Sequence, residues 1–418
     1  MMDDQKQQKR VILFLLVNSL YFFSYFQRVG VPGTIFNELQ SAFSLSATAV
    51  TGLAAITFLI YGIMQVFAGI TADRFGGFRT FLLGAFLLSF SSVLFPFAYS
   101  PFMLFLSRAF IGFSAGFIFI SLIKILSTIY KEDEFPLYLG FSLLLGYSGG
   151  IFATYPLERS VSFIGWRNSF LIAGVVCSFF TVIGLPFLKK AGETFIQKQT
   201  FSLPRFLKVV KNTHSFPIVI AGPVSFGIYF LFQSSIGKKF LEDFCNISSE
   251  KASLFTFIMV VVNTAFAFLS AYATVLTGKR KPIIIFSTTT TLIAVSILLF
   301  NLLFKIHTGL FLLSYIFLAI SAAVSPVYIT AMKEMNSIEL AATSVGFLNA
   351  VSYLCVTLIN FVSGRILDFF SYSAVKITGI IIYPAVAYRT IFLVCLLLSL
   401  FSFLISLTLK EPGDIKVT

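Results

Sequence analysis

Charged residues are scarce in this chain. Only 11% of its 418 residues are Asp, Glu, Lys or Arg, whereas 57% are hydrophobic. A soluble globular protein carries roughly twice that charged share, so the composition excludes an ordinary soluble domain. The net charge of +13 comes without a basic, aromatic-rich surface module, and we therefore expect no nucleic-acid partner.

Cysteine pairs and the common catalytic motifs are also missing. The four cysteines (Cys177, Cys245, Cys355 and Cys395) show no paired spacing, which predicts neither a disulfide framework nor a metal site. The sequence contains no phosphate loop, no H-E-x-x-H helix and no nucleophile elbow. We therefore expect neither an enzyme nor a cofactor.

Long apolar runs are what the chain has in abundance. About 20 apolar residues suffice to cross a bilayer. We identify twelve runs of this kind, at 11–31, 46–68, 80–98, 101–127, 136–157, 168–188, 216–237, 252–276, 282–304, 309–332, 341–364 and 384–409. They predict an all-α membrane protein with twelve transmembrane helices.

The Lys and Arg residues between the runs favour one orientation. Segments that face the cytoplasm when both termini do so carry about twice as many of these residues as the opposite segments. We therefore predict an integral protein of a bacterial inner (plasma) membrane with both termini cytoplasmic. Its expected partners are the lipid bilayer and a small-molecule substrate, and we expect a monomer.

A polar stretch divides the chain. Residues 189–215 are rich in Lys and Arg, and we predict that they form a cytoplasmic linker. It would separate an N-terminal six-helix bundle, 1–188, from a C-terminal six-helix bundle, 216–418. Within the linker, we expect an amphipathic helix from Leu203 to Val210 on the membrane surface.

The two halves share a weak internal repeat. A constant offset of 206 residues aligns several similar positions. It places Phe26-Gln27 on Phe232-Gln233, Gly140-Phe141 on Gly346-Phe347, and Tyr147 on Tyr353. A single offset shared by these matches predicts two related bundles in the same orientation.

The short turn between the second and third runs carries the most informative motif. It contains Gly69, Asp73, Arg74, Gly76 and Arg79. This spacing resembles the G-x-x-x-D-R-x-G-x-x-R/K signature of the major facilitator superfamily. The glycines permit close backbone approach, and the resemblance implies that the five residues act in conformational gating.

Further stretches resemble the same superfamily. They are Arg108-x-x-x-Gly112-x-x-x-Gly116 in the fourth run, Gly165-Trp166-Arg167 before the sixth run, and Gly364-x-x-x-Asp368 at the end of the eleventh. The resemblance implies two pseudo-symmetric six-helix bundles and a secondary transporter that works by alternating access. Arg108 is expected to have a structural or conformational-coupling role.

The placement of charge favours an anionic substrate. All 17 acidic residues fall in predicted loops or at the ends of runs, whereas Arg28, Arg108 and Lys124 fall inside runs. A charged side chain within the membrane is costly, which makes it a candidate for function. Two alternatives stay open: an exporter of amphipathic drug-like or siderophore-like molecules, and a non-transporting sensor on the same fold.

Arg28 is the first candidate for binding the substrate. With Tyr21 and Tyr25 it resembles the Y-x-x-Y-x-x-R arrangement in the first helix of organophosphate and organic-anion members of the superfamily. Their spacing places the three side chains on one helix face, and the planar guanidinium suits a carboxylate or phosphate. The alternative is that Arg28 extends to the outer headgroups.

Other polar residues of the runs are weaker candidates for substrate binding. They are Lys124, Gln27, Tyr229, Gln233 and Tyr353. Gln27 and Gln233 are repeat partners, and we expect them to face a central cavity. The alternative for these polar residues is hydrogen bonding between neighbouring helices, and for Lys124 it is extension to the membrane surface.

Overall fold

The computed structural model describes residues 2–131, 134–192, 203–337, 340–377 and 379–412. Their contacts divide the chain into two compact units. The first comprises Met1–Val31 and Ile56–Phe201, and the second comprises Pro32–Ala55 and Ser202–Thr418. The predicted bundle boundaries stay a prediction, and residues 193–202 of the predicted linker lie outside the described residues.

The first half of the chain folds mainly into long apolar helices, with one short helix, α2, of mixed composition. In chain order they are α1 (Met2–Gly30), α2 (Phe36–Phe43), α3 (Ala47–Phe75), α4 (Gly77–Leu94), α5 (Pro101–Ile129), α6 (Phe135–Phe152) and α7 (Tyr155–Gly192). The backbone of α7 turns at Gly165, where φ is 78°. A residue with a side chain rarely adopts this φ, so the glycine allows one helical segment to end and the next to begin at Trp166.

The second half continues in the same way and ends on a hairpin and a helix. Its helices are α8 (Leu203–Val210), α9 (Phe216–Leu231), α10 (Gly237–Cys245), α11 (Ser249–Thr277), α12 (Lys281–Phe304), α13 (Thr308–Ala322), α14 (Ser325–Glu334), α15 (Ala341–Phe369) and α16 (Ala385–Leu407). Strands β1 (Val375–Ile377) and β2 (Ile380–Ile382) pair in antiparallel fashion between α15 and α16. A π-helical turn, Phe232–Ile236, joins α9 to α10.

The twelve-helix membrane fold is confirmed. Within the described residues, 11 helical spans are long and apolar enough to cross a bilayer, and Leu137–Phe152 forms a shorter apolar helix. The amphipathic helix expected at Leu203–Val210 is present as α8. Val209 of α8 is buried in the core of the second unit.

Each unit has its own apolar core. In the first unit, α1, α4, α5 and α7 contribute buried side chains that include Leu20, Phe81 and Leu122. In the second unit, α9, α12, α14 and α15 surround Tyr328 and Met332. Because lipid offers helices little hydrophobic drive to associate, close van der Waals packing of this kind holds such bundles together.

Three local features differ from the sequence prediction. The helix of the seventh run does not end near 237 but continues through the π-turn to Cys245. Helix α2 and the β1–β2 hairpin occupy segments for which no regular structure was predicted. All three are short segments whose structure depends on contacts with distant residues, and local periodicity does not report such contacts.

Two glycines of the gating motif have different environments. Gly76 precedes α4 with φ 88° and ψ 150°, a backbone region that is essentially restricted to glycine. Gly69 lies inside α3, and no described atom stands within 4 Å of the position that a Cβ would occupy. The close approach expected at Gly69 is therefore not seen, whereas Gly76 is required by its conformation.

We predict opposite effects of alanine at these two positions. Gly76→Ala should destabilise the protein by about 1–3 kcal/mol, because alanine does not tolerate this backbone region. Gly69→Ala should be neutral or stabilise by up to about 1 kcal/mol, because alanine favours a helix interior without a clash here. Thermal unfolding in detergent measures both. Equal losses of stability in the two variants would contradict this account.

Candidate functional site

Arg28 lies in the last turn of α1 and is buried, with 2% of its surface exposed. Its guanidinium carbon lies 4.7 Å from the ring centroid of Tyr25 and 4.3 Å from that of Tyr61 on α3. The Nε–H group donates to the carbonyl oxygen of Ser24 at 3.3 Å. Two aromatic faces therefore hold a cation inside the first unit by cation–π attraction.

The aromatic wall beside Arg28 extends to a third helix. The rings of Tyr25 and Tyr147, which belongs to α6, lie 5.1 Å apart. Tyr21 has a different environment, because its ring stacks on Phe119 at 5.5 Å. A Cβ at Gly146 would collide with the Tyr21 ring. The structure thus places Tyr25 at the guanidinium, and Tyr21 lies near enough to interact electrostatically with Arg28 and Tyr147.

Gln27 is fully buried beside Arg28 in the sequence. Neither its amide oxygen nor its amide nitrogen has a hydrogen-bond partner in the part of the chain that the structure describes. An unbonded buried amide costs about 1–3 kcal/mol. An ordered water or a bound ligand would supply the missing partners of this amide.

Arg108 holds the end of helix α1. It is fully buried on α5. Its Nη1 donates to the carbonyl oxygen of Gln27 at 2.8 Å, and its Nη2 donates to that of Val31 at 3.4 Å. The last carbonyls of a helix lack partners within the helix and carry partial negative charge. Arg108 therefore positions the turn that carries Gln27 and Arg28, and its role in conformational coupling stays a prediction.

The glycines that follow Arg108 bring α5 against α3. A Cβ at Gly112 would collide with the carbonyl oxygen of Thr57, and one at Gly116 would stand 2.7 Å from the Cβ of Met64. Tyr61 lies between these two contact points on α3. Close packing of small residues against a helix backbone thus fixes the position of the ring on which Arg28 rests.

Lys124 is placed elsewhere in the first unit. It is partly buried near the end of α5, and its Cβ and Cγ lie 3.0 Å from the position that a Cβ of Gly77 would occupy. Along α5, Lys124 is about 24 Å from Arg108, given a helical rise of 1.5 Å per residue. The structure therefore brings Lys124 to the turn between α3 and α4, and not to Arg28.

The other residues of the gating motif surround the same turn. Arg74 and Arg79 are exposed, and the guanidinium of Arg74 lies 5.3 Å from the ring centroid of Phe75. The side chain of Asp73 lies outside the described part of the structure. The gating role of this turn stays a prediction.

The second unit has its own polar candidates on α9, the π-turn and α15. Gln233 is buried within the π-turn, and its amide atoms, like those of Gln27, have no partner among the described residues. Tyr229 is buried one turn earlier. The ring of Tyr353 lies 5.5 Å from that of Phe226. π-Turns interrupt regular helical bonding and occur often at functional sites.

A buried ion pair on α10 was missed by the sequence analysis. Lys239 is fully buried, and its Nζ donates to Oδ1 of Asp243 at 2.6 Å and to the carbonyl oxygen of Ile381 at 2.5 Å. Oδ2 of Asp243 accepts from the hydroxyl of Tyr388 at 2.6 Å and from the backbone N–H of Tyr383 at 3.0 Å. The i,i+4 spacing of lysine and aspartate was the available signal.

Two other contacts fasten the segment between α1 and α3 within the second unit. The carboxylate of Asp368 accepts from the backbone N–H groups of Ala47 (2.7 Å) and Thr48 (2.9 Å) at the start of α3. Nζ of Lys238 donates to the carbonyl oxygen of Thr34 at 2.6 Å. A Cβ at Gly364 would collide with Thr51, so the Gly364-x-x-x-Asp368 motif acts here as a docking site for a helix N-terminus.

Tyr383 links α2 to the hairpin. Its hydroxyl accepts a hydrogen bond from Nε2 of Gln40 at 2.8 Å. Burial raises the pKa of Tyr383 to about 12, so the phenol stays protonated at neutral pH. The hydrogen bond between Gln40 and Tyr383 therefore connects α2 to the hairpin at neutral pH.

Comparison with known proteins relates both the sequence and the fold of this chain to known families. A model of the Major Facilitator Superfamily matches residues 17–358. No curated protein sequence matches the chain. Three solved structures are similar in fold only, because their sequence identities are low.

The three structures cover nearly the whole chain. A bacterial homologue of the human lysosomal transporter Spinster, in an inward-facing and unoccupied conformation, has a TM-score of 0.77 at 17% identity, covering 96% of this chain and 98% of that one. A POT family transporter in complex with 5-aminolevulinic acid has a TM-score of 0.77 at 16% identity, with coverages of 96% and 97%. A D-xylose-proton symporter has a TM-score of 0.74 at 14% identity, with coverages of 98% and 99%.

The buried ion pair on α10 leads to a stability prediction. Asp243→Asn should cost about 3–5 kcal/mol, because it leaves Lys239 as an uncompensated buried charge. The double variant Lys239→Met/Asp243→Asn should lose less than the sum of the two single variants, because it removes both charges. Thermal unfolding of the two single variants and the double variant measures these losses of stability. Lys251→Met, at the exposed start of α11, is the control. Simple additivity would contradict the pairing.

Proposed function

We propose that this chain, which belongs to the Major Facilitator Superfamily and is a secondary transporter rather than an enzyme, moves a small organic anion by alternating access. The observation that carries the proposal is the buried guanidinium of Arg28 on the ring faces of Tyr25 and Tyr61. Stacking engages the faces of a guanidinium, whereas hydrogen bonds to a carboxylate or phosphate use its edge. The two kinds of contact are therefore compatible.

The residues around Arg28 supply the rest of the proposed site. Arg108 fixes the last turn of α1 through the carbonyl oxygens of Gln27 and Val31, so that the guanidinium of Arg28 is presented from a held backbone. The amide of Gln27 offers one donor and one acceptor to a second polar group of the substrate. Tyr25 supplies an apolar face for the carbon skeleton.

Two carboxylates, Asp243 and Asp368, have partners in the fold itself, which favours an anion over a cation as the substrate. A cationic substrate requires a carboxylate that is available to it. Asp243 is engaged by Lys239, Tyr388 and the backbone of Tyr383, and Asp368 is engaged by the start of α3. Both therefore serve the fold, and neither is a natural receptor for a cation.

The turn between α3 and α4 is the proposed site of conformational gating. Gly76 sets its sharp backbone bend, and Lys124 packs its aliphatic stem against Gly77. We assign Lys124 to this turn rather than to substrate binding. The bacterial inner membrane and the cytoplasmic location of both termini are part of the same proposal, based on the distribution of Lys and Arg.

Export of an amphipathic molecule is the second candidate function. Tyr25, Tyr61 and Tyr147 present rings from three different helices around Arg28, and such a surface also suits a large aromatic compound. The two functions differ in their dependence on charge. An amphipathic neutral compound should be handled equally well by Arg28→Gln, whereas an organic anion should not.

Removal of the Arg28 charge gives the direct test. We expect Arg28→Gln to weaken anion binding about 10- to 100-fold, which corresponds to the loss of charge-assisted hydrogen bonds. Arg28→Lys should restore binding only in part, because an ammonium does not make a bidentate contact. The measurement is uptake and binding by proteoliposomes with a panel of labelled carboxylates, sugar phosphates, amino acids and nucleosides.

The matched control for this test is Arg389→Gln, which removes an exposed guanidinium from α16. It should leave uptake and unfolding temperature unchanged. Wild-type anion uptake by Arg28→Gln would refute the assignment of Arg28. Anion binding by the wild-type protein without any uptake would instead favour a sensor on the same fold.

The coupling mechanism is tested with loaded and empty liposomes. We expect substrate inside the liposomes to stimulate uptake at equal pH and zero membrane potential, because an empty basic site crosses the membrane less readily than one neutralised by an anion. This result indicates exchange. Uptake into empty liposomes that follows an imposed pH gradient, without stimulation by internal substrate, would refute exchange and indicate coupling to protons.

A further inference from the structure

The hairpin between α15 and α16 has one wholly apolar face. Val375 pairs with Ile382 and Ile377 pairs with Ile380. Because side chains alternate along a strand and paired residues share a face, these four β-branched side chains lie on the same face. Val375 and Ile377 are 57% and 52% exposed. This face therefore has little protein covering it within the described residues.

The backbone of the same hairpin is firmly held. The carbonyl oxygen of Ile381 accepts from the buried ammonium of Lys239, and the adjoining Tyr383 binds Asp243 and Gln40. A Cβ at Gly379 would stand 3.5 Å from Oγ of Ser41 on α2. An isolated two-stranded hairpin is marginally stable in water. Its anchoring therefore keeps an apolar face at a fixed place on the second unit.

The hairpin lies close to two membrane spans. Helix α15 ends at Phe369 and α16 begins at Ala385, so both strands start or end within a few residues of a span. The exposed face of α15 carries Leu354, Leu358 and Phe361, the residues expected to contact lipid. These exposed apolar side chains of α15 therefore precede the hairpin along the chain.

Between the end of α15 and the hairpin, the side chains follow the order that is typical of a membrane interface. Arg365 is exposed one turn before the end of α15, and Phe369 and Tyr372 follow with 72% and 80% exposure. Lys376 is exposed on the hairpin face opposite Val375 and Ile377. Aromatic residues concentrate at headgroup depth, and basic residues there contact lipid phosphates.

We propose that the apolar hairpin face, formed by Val375, Ile377, Ile380 and Ile382, binds the bilayer interface together with Tyr372. The occupant of this surface is lipid, with the apolar side chains among the upper acyl chains and Lys376 beside the headgroup phosphates. The proposal is independent of the substrate. The hairpin would then contact the membrane on one face, while its backbone is hydrogen-bonded to the Lys239–Asp243 pair.

Tryptophan fluorescence tests the proposed depth directly. Trp166 is the single tryptophan of the chain, so the wild-type spectrum supplies the background. Ile377→Trp places a probe on the apolar hairpin face, and Lys376→Trp places the matched probe on the opposite face of the same strand. Both variants are reconstituted as full-length protein into vesicles of phosphatidylcholine and phosphatidylglycerol, with bromine on the acyl chains near the headgroup or near the chain end.

We expect Ile377→Trp to show blue-shifted emission, quenching by bromine near the headgroup, and protection from aqueous iodide. Lys376→Trp should be quenched less by bromine and more by iodide. Tyr372→Trp is a conservative second probe, and it should also be quenched by shallow bromine. It keeps the proposal testable where Ile377→Trp fails to fold.

Two outcomes would overturn the proposal. Quenching of Ile377→Trp by iodide without quenching by bromolipid means that the face contacts water. Protection of this probe from both quenchers means that protein covers the face, whether from a second copy or from another partner. Equal bromine quenching of the 376 and 377 probes would also refute it, because the two faces would then not differ in depth.

Discussion

A protein inside a bilayer has no water to bond its backbone, and this constraint organises the polar residues of the chain. Every interruption of a long helix exposes carbonyl or N–H groups that need partners. Here charged side chains from other helices supply them. Arg108 binds the last carbonyls of α1, and Asp368 binds the first N–H groups of α3. Lys238 and Lys239 bind the carbonyl oxygens of Thr34 and Ile381.

Buried charge in this chain is therefore not by itself a sign of a substrate site. Arg108 and Lys239 both bind backbone carbonyl oxygens, which gives them a structural explanation. Arg28 also bonds a carbonyl oxygen, that of Ser24, and in addition two tyrosine rings from separate helices lie against its guanidinium within 5 Å. We therefore assign Arg28 to transport because of its aromatic surroundings and not because of its burial.

The sequence predicted the fold well and the site only in part. Apolar runs about 20 residues long identify spans because bilayer thickness dictates them, and the twelve-helix fold followed from this alone. The sequence analysis placed Lys239 and Asp243 outside the seventh span, because charged residues are typical of loops. In the structure the two side chains form an ion pair, and this pairing permits their burial. The placement of Lys124 at the α3–α4 turn depends on helix length and packing, which no motif encodes.

Gln27 and Gln233 connect the internal repeat with the proposed function. They occupy equivalent positions under the offset of 206 residues, one in the last turn of α1 and the other in the π-turn after α9. Each is buried in its own unit with an unbonded amide, so each costs stability without a folding benefit. We propose that these two amides contact a ligand, because the same polar group recurs in both halves at such a cost. Arg28 has no such counterpart, because the same offset places it on Ser234. The charge that we propose to bind an anion therefore belongs to the first unit, while the amides belong to both.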